Sequence, residues 1–170
     1  MSATAAATAF DTAAVSATPA ARRTRIKICG LTREQEVEAA GAAGADALGF
    51  VLYAARPRAV TTHRAAELAR RLPPFVTPVL LFVNEAPEAA LAALRTVPGA
   101  MAQFHGDETA AQCLESTAGG AWRFLRAARI PLGVAGAAFD LVKYASGFAA
   151  AQAVLLDAHD PARVIARSRE

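Results

Sequence analysis

The chain has 170 residues, 54% of them hydrophobic and 19% charged, with a formal net charge of +3. That length and apolar content support one domain with a sizeable core and exclude general disorder. The basic excess sits at the ends, where Arg22, Arg23 and Arg25 outnumber Asp11 and where Arg163, Arg167 and Arg169 outnumber Glu170, so the body offers no basic face for nucleic acid.

Residues 1–24 are rich in Ser, Ala and Thr and close on an arginine pair. They lack the basic start and apolar core of a secretory signal, and a disordered leader is expected. No apolar run reaches the roughly 18 residues of a membrane span, so no membrane association is expected. Cys29 and Cys113 are the only cysteines, too few and too distant for a disulfide scaffold or a zinc site, which points to a reducing cytoplasm.

From Arg25 onward short apolar runs alternate with longer amphipathic segments, the pattern of repeated βα units around a parallel sheet. Strands are predicted at Arg25–Cys29, Ala47–Leu52, Pro78–Val83, Ala100–Phe104, Arg123–Ala127 and Ala153–Leu156. Helices are predicted at Arg33–Ala43, His63–Arg71, Pro87–Thr96, Glu108–Ala118 and Ala137–Ser146, with Pro87 suited to a first turn. Such a chain can close into a (β/α)8 barrel or remain an open doubly wound sheet. No Gly-x-Gly-x-x-Gly follows the first strand and no Walker-type loop occurs, which weighs against a nucleotide-binding open sheet. In a barrel, Cys29, the loop from Tyr53 to Arg58, Asn84, His105 and Asp157 all belong at the strands' carboxyl ends and face one mouth.

Lys27-Ile28-Cys29-Gly30-Leu31-Thr32 sets a strand, a thiol, a glycine turn and a helix cap in succession, and Thr32-Arg33-Glu34-Gln35 has a capping-box form. A cysteine at such a turn, near a helix start, is a candidate base or nucleophile; a small buried hydrophobe at the end of a core strand is the alternative. Arg58 is placed to clamp a carboxylate, or is a solvated surface arginine. Gln103 and His105 end the fourth strand and are candidates for contact with a ligand, although a lone histidine there is more often structural. Asp157 follows the apolar run Val154-Leu155-Leu156 and is suited to donate a proton, or to cap a turn.

Taken together, Lys27–Thr32, Gly44–Val51, Pro73–Val76, Phe82–Glu85 and Gln103–Gly106 resemble the phosphoribosylanthranilate isomerase family, over about Arg25 to Pro161. The resemblance implies an α/β fold of the (β/α)8 TIM-barrel type, with about six of its strands present. It implies an Amadori rearrangement of N-(5-phosphoribosyl)anthranilate without cofactor or metal. On matching positions it makes Asp157 the general acid, Cys29 the general base and Arg58 the holder of the anthranilate carboxylate, with Gln103 and His105 against the substrate. Two departures are Arg56 before Pro57-Arg58, where serine is commoner, and Phe104 in place of leucine. The family continues after Pro161 with a glycine-rich loop and two further strands whose loops bind phosphate. Residues 162–170 do not show that pattern, so the expectation is a non-family tail after an interrupted barrel. Unpaired strand edges would then favour self-association, and the alternative to an isomerase is a catalytically inactive fragment or pseudoenzyme that needs a complementing C-terminal segment.

Overall fold

A computed structural model describes residues 23–159, and over these the six apolar runs form six parallel strands. They are β1 (Lys27–Cys29), β2 (Ala47–Val51), β3 (Thr77–Phe82), β4 (Met101–Phe104), β5 (Phe124–Pro131) and β6 (Ala153–His159), hydrogen-bonded in chain order. The helices between them are α1 (Glu34–Ala42), α2 (Thr62–Ala69), α3 (Pro87–Thr96), α4 (Ala110–Ser116), α5 (Val134–Ala137) and α6 (Leu141–Gly147). Sequential parallel neighbours joined by helical crossovers make the curled sheet of a (β/α) barrel rather than the reversing strand order of a doubly wound sheet. The leader expected over 1–24 lies outside the described residues as far as position 22, and the tail expected over 162–170 lies wholly outside them.

The core forms because every strand turns alternate residues to the helices. Leu48 and Phe50, Leu80 and Phe82, Ala102 and Phe104, and Phe124 pack on Val37, Leu68, Leu94, Val97 and Cys113 from the helical layer. Phe104 lies 6.0 Å from Phe82 and 5.7 Å from Phe124, so three strands share one aromatic row. Strand register then assigns the opposite parity to the inner side of the curl: Cys29 stands level with Gly49, Leu81 with Gln103, and Arg129 with Asp157.

Several boundaries differ from the sequence expectation, each for a local reason. β6 runs on to His159 because it pairs with β5 as far as Pro131, so Asp157 lies inside a strand rather than after one. The helix expected at Ala137–Ser146 starts later, as α6, where Asp140 accepts from the Lys143 N–H at 2.9 Å, and a separate short α5 precedes it after its N-cap Gly133, with φ of +76°. The cap of α1 also moves by one residue. Arg33 is the N-cap and Glu36, not Gln35, reaches back, accepting from the N–H groups of Thr32 at 2.9 Å and Arg33 at 3.1 Å.

That contact predicts an acid limb of stability. The Thr32 N–H and the Arg33 guanidinium hold the Glu36 carboxyl down at about 2, against an ordinary 4.5, and Arg64 does the same for Glu34. A carboxyl lowered in the folded state contributes stability in full above its unfolded value and loses it as pH falls toward its folded one. Stability should therefore drop between about pH 4.5 and pH 2. Glu36→Gln, which cannot titrate, should flatten that drop in urea unfolding measured across the range.

Candidate active site

Two clusters occupy the carboxyl ends of the strands. The first is built on β1 and β2. Cys29 is the last residue of β1, half-buried on the inner side, and Gly49 of β2 faces it directly. A Cβ at position 49 would come within 2.6 Å of the Cys29 sulfur and 3.1 Å of its Cα, so only glycine leaves the thiol its place. Gly49→Ala should cost about 1–3 kcal/mol from overpacking and displace the thiol, read by thermal unfolding together with the rate of thiol alkylation.

Gly30 turns the chain out of β1 with φ of +84°, and its N–H donates to the Gly49 carbonyl at 2.9 Å. The Arg58 guanidinium lies against it: Nη1 is 2.6 Å from where a Cβ would stand, and donates to the Cys29 carbonyl oxygen at 2.9 Å. One of the five guanidinium N–H donors is thus committed to backbone beside the thiol. Arg58 is otherwise exposed, with donors left for an anion.

The second cluster is built on β4 and β6. Gln103 is on the inner side of β4 and only 2% exposed, and its Nε2 lies 3.1 Å from His105 Nδ1. His105 Nε2 in turn lies 3.0 Å from Asp157 Oδ2. The two strands thereby assemble an amide–imidazole–carboxylate row in which Asp157 remains 44% exposed and open to a ligand. Arg129, level with Asp157 on β5, turns its guanidinium to Asp107.

Behind this row lies a network that sequence reasoning missed. Glu108, expected at the start of a helix, is buried before it, and Thr109 caps α4 instead. Its Oε1 accepts from the Asn84 N–H at 2.7 Å, and its Oε2 accepts from the Gly106 N–H at 2.9 Å and pairs with Arg126 Nη1 at 3.1 Å. Arg126 also donates to the carbonyls of Phe104 and Gly106, both at 3.0 Å, and its guanidinium lies 4.8 Å from the Phe148 ring centre. Asn84, expected at the mouth, accepts from the Asp107 N–H through its side chain. The one signal in the sequence was an arginine inside the apolar run Phe124-Leu125-Arg126-Ala127-Ala128, which a buried strand tolerates only with a partner.

Cys113 is unlike Cys29. It is fully buried in the core, and that burial pushes its thiol up to about 11, which leaves it a packing residue. No group of three His, Cys, Asp or Glu side chains is placed to hold a metal among the described residues, and no helix there is long and apolar enough to cross a membrane.

A parallel (β/α) sheet in chain order, with a thiol, a guanidinium, an imidazole and a carboxylate at its strand ends, defines the class of (β/α)-barrel proteins with a polar site at the carboxyl face. Comparison with known families carries this further. The model of N-(5'-phosphoribosyl)anthranilate isomerase matches residues 26–161, and the chain belongs to that family. The N-(5'-phosphoribosyl)anthranilate isomerase of Methylibium petroleiphilum is 59% identical over 81% of this chain and 60% of its own length. Among solved structures, phosphoribosyl anthranilate isomerase from Thermus thermophilus superposes with a TM-score of 0.70 at 31% identity, covering 81% of this chain and 64% of that one. A phosphoribosyl anthranilate isomerase in complex with reduced 1-(o-carboxyphenylamino)-1-deoxyribulose 5-phosphate has a TM-score of 0.68 at 28% identity, over 86% of this chain and 71% of its own. The chain spans about 60% of the length of the curated relatives it matches.

Proposed function

We propose that the chain carries the acid, the base and the carboxylate clamp of phosphoribosylanthranilate isomerisation, a step of tryptophan biosynthesis in a reducing cytoplasm. The observation that supports this most directly is the placement of Cys29 and Asp157 on the same, inner side of one continuous sheet, Cys29 as the last residue of β1 and Asp157 two residues before the end of β6. An acid and a base on opposite sides of a sugar are what the rearrangement needs.

In this reading Asp157 gives a proton to the furanose ring oxygen as the C1–O bond breaks, and the nitrogen lone pair forms the C1 Schiff base. Cys29 as thiolate then takes the C2 proton, and those electrons neutralise the iminium to give an enolamine that tautomerises to the 2-ketone. Oxidation at C2 balances reduction at C1 within one molecule, so no external redox partner enters. Arg58, anchored by one N–H to the Cys29 carbonyl, offers its remaining donors to the anthranilate carboxylate and so holds the substrate beside the base. His105 completes the wall next to Asp157, with the buried Gln103 amide behind it.

The test is the decay of anthranilate-type fluorescence on adding N-(5-phosphoribosyl)anthranilate to the purified chain, alone and joined to the C-terminal remainder of a full-length relative. Turnover in either form, lost in Cys29→Ala and in Asp157→Asn, supports the assignment. Turnover that survives both substitutions, or its absence from both forms, would overturn it.

A further inference from the structure

We infer that Gln103 is a positioning residue: its buried amide holds His105 in the Nε2–H tautomer, so that the imidazole donates to Asp157 Oδ2 and leaves Oδ1 as the oxygen that carries the transferable proton. Its consequence for turnover rests on the functional reading above; the tautomer itself does not.

At 2% exposure Gln103 lies behind His105, and its amide Nε2, 3.1 Å from Nδ1, is where its influence reaches the site. The amide can face Nδ1 in two ways. With Nε2 toward the ring, Nδ1 accepts, the ring proton is on Nε2, and the Gln103 Oε1 is the buried atom without a partner. With the amide reversed, Oε1 would take a proton from Nδ1, but the NH2 group would occupy the partnerless position. An unpartnered buried carbonyl oxygen is tolerated better than an unpartnered buried donor group, so the first orientation wins. The ring nitrogen 3.0 Å from Asp157 Oδ2 is then the one that bears hydrogen.

The chemical effect falls on Asp157. Because Oδ2 accepts from the imidazole, the hydrogen of the protonated acid resides on Oδ1, the oxygen free to meet a substrate. After transfer the same Nε2–H steadies the carboxylate that forms. In the opposite tautomer the bare Nε2 would draw the acid's own hydrogen into the imidazole contact and away from the sugar. Arg129, the other charged neighbour across from Asp157, is engaged by Asp107.

The experiment is the imidazole nitrogen-15 spectrum of the whole chain labelled at its three histidines, near pH 8, with His105 assigned by loss of its signals in His105→Gln. The expected result is a pyridine-like Nδ1 and a pyrrole-like Nε2 at His105, with Nδ1 turned pyrrole-like in Gln103→Glu, whose carboxylate accepts from Nδ1 while Nε2 keeps its hydrogen toward Asp157. A pyrrole-like Nδ1 in the unaltered chain, or a pattern indifferent to Gln103→Glu, would overturn the inference. If Gln103→Glu does not fold, the spectrum of the unaltered chain decides. In the isomerase assay Gln103→Glu and Gln103→Leu should lower kcat by about 10- to 100-fold with little change in KM. A loss confined to KM would make Gln103 a substrate contact and end the positioning role. The expected spectrum without isomerase activity in the unaltered chain would instead remove the isomerase reading and leave the tautomer standing.

Discussion

Glu108→Ala is expected to lower the unfolding free energy by about 3–5 kcal/mol, measured by urea denaturation. The loss comes from what the substitution leaves behind. Arg126, 4% exposed, would keep a buried charge without its carboxylate, and the N–H groups of Asn84 and Gly106 would lose their acceptor. Removing one partner of a buried pair is therefore far costlier than the net worth of the pair. Replacing both charges with apolar residues, as in Glu108→Leu with Arg126→Met, removes the stranded charge but still orphans two N–H donors and the Phe104 and Gly106 carbonyls. We expect partial recovery only. Full recovery would mean that those backbone groups find water or another partner. Since the network ties the ends of β3 and β4 to Arg126 in the first half of β5, the same substitution should also disturb the neighbouring His105.

The largest effect on turnover should follow changes at Asp157 and Cys29. A positioned general acid or base contributes typically 10²–10⁴-fold, so each of Asp157→Asn and Cys29→Ala should lower kcat by about that factor. Asp157→Asn preserves shape and still offers a carbonyl oxygen to His105 Nε2, so its melting temperature should barely move while its rate collapses. Cys29→Ala removes only a half-buried sulfur beside Gly49 and should leave the fold intact as well. In the proposed reading acid and base act on consecutive steps of one reaction, so the double variant should lose much less than the product of the two single losses. A fully multiplicative loss in the double variant would contradict that shared role.

Within the described residues much of this architecture could be read from the chain itself. Short apolar runs punctuated by amphipathic segments identify all six strands, and Pro87 marks the start of α3 to the residue. The Cys29-Gly30 turn was equally legible, because a glycine with positive φ directly after an apolar strand has few other uses. Local chemistry of this kind needs no knowledge of distant neighbours. The β5 and β6 ends, by contrast, are extended by pairing with each other, and the break between α5 and α6 depends on Asp140 capping a helix that periodicity alone would have run through.

By itself, then, the sequence determined the alternation of strand and helix, the residue types at the strand ends and the family to which they belong. Tertiary structure decided who meets whom. Gln103, His105 and Asp157 form one row because parallel pairing in chain order aligns β4 with β6 through β5, although Asp157 is 52 residues beyond His105. Arg126 and Glu108 meet by the same register, with the arginine on the helix-facing side of β5 where its charge has no solvent. Such contacts are set by strand register and by which face each side chain takes. A shift of one residue would reverse them all, and that choice is made by packing the aromatic row of Phe82, Phe104 and Phe124 against the helices.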